Sequence, residues 1–179
     1  TLLASSAASD VYKRQASGDL VVENKDTFLE LDFPKDKYNE VDYVNQVEDS
    51  IGIKPLKTYL GEINLFAEIQ NEDDIKNIKP DFDKLINLEG QGLIISSKSE
   101  QFDFVSRYFC PKYGINEDPV TGSAHTTLIP YWADKLNKTS MIAKQISKRG
   151  GVLYCTNLDE RVLIGGEAVL YLKGEIDIS

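Results

Sequence analysis

At 179 residues, with 41% hydrophobic and 27% charged side chains, the chain has the composition of a globular protein able to bury a core. Its length suits one domain of ordinary size, or one domain and part of another. A formal charge of −9 argues against nucleic acid as a partner, because phosphate backbones need clustered Lys and Arg, and no stretch approaches the roughly 18 apolar residues of a membrane span.

The chain opens on Thr1, and Met141 is its only methionine. Residues 1–15, TLLASSAASDVYKRQ, have a short apolar start without the basic region of a secretory signal, and they resemble a translated cloning adaptor. They are expected to be a non-native leader outside the fold, with native sequence starting near Ala16.

From Asp19 the pattern is mostly short strands. Leu20–Glu23 and Thr27–Phe33 carry β-branched and aromatic residues around the turn chemistry of Asn24-Lys-Asp26, which predicts a hairpin. Pro34 ends it, and Lys35–Asn39 reads as a linker. Apolar residues at Val41, Val44, Val47 and Ile51 predict an amphipathic helix closed by Gly52. Strands are expected at Thr58–Leu60 and Asn64–Ile69, then short helices at Asp73–Ile78 and Phe82–Leu88, separated by Pro80. Gly92–Ser96 and Phe102–Phe109 return to strand, the second with Phe102, Phe104, Ser106 and Tyr108 alternating onto one face.

The segment Glu117–His125, EDPVTGSAH, runs into the apolar stretch Thr126–Ala133. A helix starting near Gly122 is expected, buried on nearly all sides because Leu128, Ile129, Tyr131, Trp132, Ala133 and Leu136 cover most of its circumference. Pro130 inside it predicts a kink or an irregular start. Strands at Met141–Ile146, Val152–Cys155, Arg161–Ile164 and Ala168–Leu172 follow, joined by short turns that favour antiparallel neighbours. Many strands around one apolar helix make an α+β domain, a mostly antiparallel sheet wrapped on a central helix.

The start of that helix is where chemistry is expected. Unpaired N–H groups and a partial positive charge there can hold an anion beside an acid that moves a proton. Asp118 is the candidate acid or base; the plainer account is that Asn116–Pro119 is an ordinary turn. Glu117 is expected to point away from it. Thr121, Gly122 and Ser123 could grip a substrate carboxylate, or could simply cap and turn the chain into the helix. His125, the only histidine, lies too close in sequence to Ser123 for a Ser-His pair, which argues against a hydrolytic triad and against a metal site. Arg107 and Arg149 could bind acidic ligands, Arg149 beside a close-approach Gly150-Gly151, or could serve in ion pairs. Cys110 and Cys155 form no CxxC, so neither zinc nor a disulfide framework is signalled, and two free thiols fit a reducing cytoplasm.

Taken together, SRYFCPKYGINEDPVTGSAHTTLIPYWADKL (106–136), QISKRGGVL (145–153) and RVLIGGEAVLYLKGEI (161–176) resemble the PhzF-like (phenazine biosynthesis PhzF) proteins, related in fold to diaminopimelate epimerase. The resemblance implies two similar α+β domains with a site in the cleft between them, and cofactor-independent isomerase or epimerase activity on a small carboxylate-bearing substrate. It implies Asp118 facing the site as a catalytic or orienting group, with Thr121, Gly122 and Ser123 binding substrate, and no metal. The family's main proton-transferring Glu and a Gly-His pair belong to its first domain, which has no counterpart before Ala16. Residues 16–35 then read as a hairpin remnant of that domain and 36–179 as the second domain. The expectation is a truncated, poorly active cytoplasmic enzyme with a homodimer left open. A noncatalytic small-acid binding protein is the alternative.

Overall fold

The computed structural model describes residues 11–15, 18–169, 171–172 and 174–175. Residues Gly18–Asn24 (β2) and Leu29–Pro34 (β3) pair antiparallel as expected. Their turn is set by Asn24, whose side-chain oxygen accepts from the Asp26 N–H at 3.1 Å while Asp26 takes a positive φ of 64°. Val11–Gln15 (β1) adds an edge strand to β2 in a stretch for which no element was expected. Residues 1–10, the rest of the expected leader, lie outside the described residues.

The expected helix from Val41 begins later. Val41 instead closes a short strand, Asn39–Val41 (β4), because it pairs with Thr58 of Lys57–Leu60 (β5). The Thr58 hydroxyl donates to the Val41 carbonyl at 2.5 Å and accepts from the Tyr43 N–H at 3.0 Å, holding the chain out of the helix until Val44. Helix α1 (Val44–Ile51) then ends at Gly52 in the left-handed conformation, as its sequence predicts. Leu65–Glu68 (β6), Glu72–Asn77 (α2), Phe82–Leu85 (α3), Leu93–Lys98 (β7) and Phe104–Cys110 (β8) follow in the expected order. Asn71 and Asp81 cap α2 and α3 through their side chains.

Ile115–Asp118 (β9) pairs with β8 where a turn was the plainer expectation. The helix Gly122–Leu136 (α4) leads to Ser140–Gln145 (β10), Gly151–Asn157 (β11) and Arg161–Gly166 (β12). The strand expected at Ala168–Leu172 is absent among its described residues, which carry no regular structure and leave Val169 and Tyr171 exposed. One sheet runs in the order β1, β2, β3, β12, β11, β10, β8, β7, β6, β5, β4, with β9 beside β8. Its pairings are antiparallel except β6 with β7 and β8 with β10, so the fold is α+β with a mixed, mostly antiparallel sheet and few helices.

Both faces of the sheet centre are covered, which is why β8 is buried almost throughout. Phe104 and Tyr108 join the core that contains Leu128, Ile129 and Trp132 of α4, along with residues of β5, β6, β7, β10, β11 and β12. Val105 and Phe109, pointing the other way, meet Val47, Ile75 and Leu85 of α1, α2 and α3. Phe102 falls on this second side rather than with Phe104, since the strand starts only at Phe104. Within the α4 core, the buried carboxylate of Glu68 accepts from the Tyr131 hydroxyl at 2.6 Å and pairs with Lys135.

Pro130 does not break α4, which runs without interruption through it. A proline at this position cannot donate to the carbonyl four residues back, that of Thr126. The Asp36 N–H supplies the missing donor at 3.3 Å. The Asp36 carboxylate then accepts from the Thr127 hydroxyl at 2.6 Å and from the Glu62 N–H at 3.0 Å. Gly61 makes room for this, as a Cβ there would sit 2.1 Å from Asp36 Oδ2. The segment read as a linker is thus fastened to the first turns of the helix.

Candidate functional site

Three elements converge at the start of α4. The strand β9 delivers Asp118, β10 delivers Gln145, and the turn into β11 delivers Arg149, Gly150 and Gly151. The facing residues of the β8 and β9 pair split as alternation requires. Glu117 turns to Arg107, which holds it through two hydrogen bonds of 2.7 and 3.0 Å and also donates to the carbonyls of Ile75 and Ile78. Arg107 is therefore an inter-strand tie, and Glu117 points away from Asp118 as expected.

Asp118 lies half-buried on the opposite side, where its Oδ2 accepts from the Thr121 hydroxyl at 2.5 Å. Thr121 occupies the N-cap position of α4 in an extended conformation, yet its side chain does not cap the helix. All three polar groups of Thr121 are engaged inside the protein: the hydroxyl with Asp118 and Gln145, the N–H with Gln145 at 2.8 Å, and the carbonyl with His125. Ser123 is exposed, and its hydroxyl has no partner among the described residues. With no side-chain cap, the leading N–H groups of α4 are left for solvent or a ligand. Gly122 among them opens onto a groove of about 720 Å³.

The groove runs from Gly122 and Val120 past Arg149 and Gly150-Gly151 to Leu29, Leu31, Ile164 and Gly165-Gly166. Its walls are largely apolar, while Arg149 brings a positive charge and Glu167 a negative one. Asp118, Thr121 and Ser123 do not line it; of the residues singled out in the sequence, Gly122, Arg149 and Gly150-Gly151 do. The close approach expected at Gly150-Gly151 is made by the protein itself. A Cβ on Gly151 would lie 2.6 Å from Val120 Cγ2, so a larger residue would push the loop before α4 off the sheet.

His125 is fully buried one turn into α4, its ring 6.0 Å from that of Phe104. Its Nδ1 donates to the Thr121 carbonyl at 2.7 Å, and its Nε2 has no partner among the described residues. Burial lowers its pKa to about 4, against the smaller opposing effect of the Thr121 carbonyl, so the ring is neutral at pH 7. The folded state must therefore resist protonation that the unfolded chain accepts near pH 6.5. Stability is expected to be intact above pH 6.5 and to fall toward pH 4, with His125 alone contributing a slope of at most about 1.4 kcal/mol per pH unit. Urea unfolding across this window checks it against His125→Asn, which should have the shallower slope; equal slopes would show that His125 is not the titrating group.

The two thiols offer no nucleophile. Burial pushes Cys110 up to about 11 and Cys155 up to about 12, and both are free. Among the described residues no group of three or more His, Cys, Asp and Glu could hold a metal ion, and no helix is long and apolar enough to cross a membrane.

Gln145 is the site residue that motif reading misses. It is fully buried and bonded to both Asp118 and Thr121. The available signal was alternation: Met141, Ala143 and Gln145 share the inward face of one strand, and a polar residue in that series has to find partners.

With this geometry in place, the comparisons with known proteins decide the family. A family model described as phenazine biosynthesis-like protein (PhzC-PhzF) matches residues 15–174. The chain belongs to the phenazine biosynthesis-like family. It is 44% identical over 163 residues to an uncharacterized isomerase of Pseudomonas aeruginosa, covering 91% of this chain and 62% of that protein. It is 41% identical over 163 residues to an uncharacterized isomerase of Halalkalibacterium halodurans, covering 89% and 62%. Among solved structures, a PhzF-family phenazine biosynthesis protein of Enterococcus faecalis matches with a TM-score of 0.88 and 42% identity, over 97% of this chain and 67% of that one. The chain thus spans about 62% of the length of these curated relatives, and relatives bearing the isomerase name support an isomerase family.

Proposed function

We propose that this chain supplies one half of the site of a cofactor-independent isomerase or epimerase acting on a small carboxylate-bearing substrate. The observation that carries the reading is the uncapped start of α4, opening through Gly122 onto the groove with Asp118 bonded alongside. The helix N–H groups at Gly122 and Ser123, aided by Arg149, hold the substrate carboxylate. Asp118 acts as auxiliary acid or base, or orients the reacting group, while the principal proton-transferring carboxylate comes from the part of the relatives' length outside this chain. An isomerisation of this kind removes a proton from one substrate carbon and returns one to the same or a neighbouring carbon, so no co-reactant is consumed. Thr121 serves by fixing the helix start, since its own polar groups are already engaged.

A second reading, a noncatalytic protein that holds a small acid, is favoured by Arg149. This cation lines the groove with no ion-pair partner among the described residues, and anion capture alone would need no proton transfer. Calorimetry with a panel of small carboxylates, run beside an assay in heavy water, separates the two. The isomerase reading predicts binding together with deuterium entering a substrate carbon. Binding by a protein of the relatives' full length, with no exchange at any carbon, would leave the binding protein standing.

A further inference from the structure

The loop that carries Asp118 into α4 is held at Pro119, whose carbonyl accepts from the Ser147 hydroxyl at 2.7 Å, and at its two ends by the side chain of Gln145 on β10. The Gln145 Oε1 accepts from the Thr121 N–H at 2.8 Å, and its Nε2 donates to the Asp118 carbonyl at 2.7 Å and to the Thr121 hydroxyl at 3.1 Å. The direction of every bond in this chain follows from its ends. A backbone N–H can only donate and a backbone carbonyl can only accept, so the amide is held in one orientation. An amide nitrogen can only donate, so Thr121 Oγ1 accepts from it and keeps its one proton for another acceptor. That acceptor is Asp118 Oδ2, 2.5 Å away. The other carboxylate oxygen, Oδ1, has no hydrogen-bond partner among the described residues.

We propose that Gln145 is a positioning residue of the candidate site: acting through the Thr121 hydroxyl, it pins Asp118 Oδ2 and leaves Oδ1 as the oxygen presented to a ligand. The proposal rests on the reading of Asp118 as a site residue, but the hydrogen-bond chain is measurable without substrate. The residue type fits the task. A Glu in place of Gln145 would set a carboxylate oxygen against the Asp118 carbonyl and could draw the Thr121 proton away from Asp118. A Met of similar length would leave the Thr121 N–H and the Asp118 carbonyl unpaired in a buried place. On the side of β8 that faces Asp118, Tyr108 and Cys110 add no competing charge at neutral pH, while Arg107 of the same strand is held by Glu117 on the other side. Burial raises the pKa of the Tyr108 hydroxyl, and it pushes the Cys110 thiol up to about 11.

The test is nuclear magnetic resonance on the isotope-labelled chain at neutral pH, reading two signals: exchange of the Thr121 hydroxyl proton with water, and the chemical shift of the Asp118 carboxyl carbon. In the unmodified chain the hydroxyl proton should exchange about tenfold or more slowly than exposed hydroxyls. Gln145→Met should abolish that protection and move the Asp118 signal, whereas Thr121→Ser, which keeps the hydroxyl, should preserve both. Thr121→Val should move the Asp118 signal by itself, and adding Gln145→Met to it should move that signal less than Gln145→Met does alone, because the part of the Gln145 effect that runs through the Thr121 hydroxyl is already lost. An unmoved Asp118 signal in folded Gln145→Met, or shifts that add in the double variant, would overturn the proposal. If Gln145→Met does not fold, the unmodified chain still decides, since an unprotected Thr121 hydroxyl proton is incompatible with the chain of bonds. These outcomes are independent of turnover. Full activity in Asp118→Asn would remove the catalytic reading while leaving the measured chain intact, and failure of the chain would remove the positioning role whatever the activity.

Discussion

Asp118→Asn is expected to lower turnover by about 100-fold or more in a protein of the relatives' full length that contains this chain, with substrate affinity changed far less. The size follows from the role. A positioned acid or base contributes about 10² to 10⁴ in rate, and Asn keeps the shape of Asp while losing the ability to carry a proton. The Thr121 hydroxyl can still donate to the Asn oxygen, so the loop and helix start should stay in place. That makes the substitution clean: a loss of rate without a loss of stability points to proton handling. Steady-state kinetics checks it, and turnover within twofold of the unmodified protein would sink the role.

Trp132→Ala is expected to cost about 3 to 5 kcal/mol, a large part of the roughly 5 to 15 kcal/mol that holds a domain together. Trp132 is only 1% exposed and is the largest of the fully buried side chains. It stacks nearly parallel on Phe104 with ring centroids 5.7 Å apart, meets Tyr131 edge-on at 5.3 Å, and donates through Nε1 to Ser96 Oγ at 2.9 Å. Truncation would open a cavity between α4 and the β7 and β8 strands, and it would strip Ser96 of a donor. Trp132→Phe keeps most of the ring and should cost markedly less, so the difference between the two variants divides packing from the hydrogen bond. Urea unfolding followed by circular dichroism measures both. A cost below about 1 kcal/mol for Trp132→Ala would mean that the α4 core collapses around the gap.

Much of this was legible from local pattern. The hairpin of β2 and β3 carried its turn residues, α1 carried its closing glycine, and the antiparallel run β10, β11, β12 was marked by short turns. What escaped was decided by long-range partners. The residues of β9 have turn chemistry, but Asp118 pairs opposite Tyr108 and so extends the sheet. Val41 fits a helical period, yet Thr58 recruits it into β4. Pro130 reads as a helix breaker until Asp36, far away in sequence, fills the position that it leaves empty. The site divides in the same way. Asp118, Gly122 and Ser123 sit in a recognisable motif, and Arg149 stands beside its glycines. Gln145 is visible only as a polar residue on the inward face of an alternating strand. Ala168–Leu172 failed because an apolar stretch predicts burial without naming a partner, and its described residues find none.

The central claim, that the start of α4 with Asp118 is half of a proton-moving site, meets its most direct test in heavy water. A protein of the relatives' full length containing this chain, incubated with a carboxylate shown by calorimetry to bind, is predicted to place deuterium on a substrate carbon, and Asp118→Asn is predicted to slow that entry about 100-fold. Deuterium entering equally fast with Asp118→Asn, or no entry from a ligand that binds tightly, would contradict it.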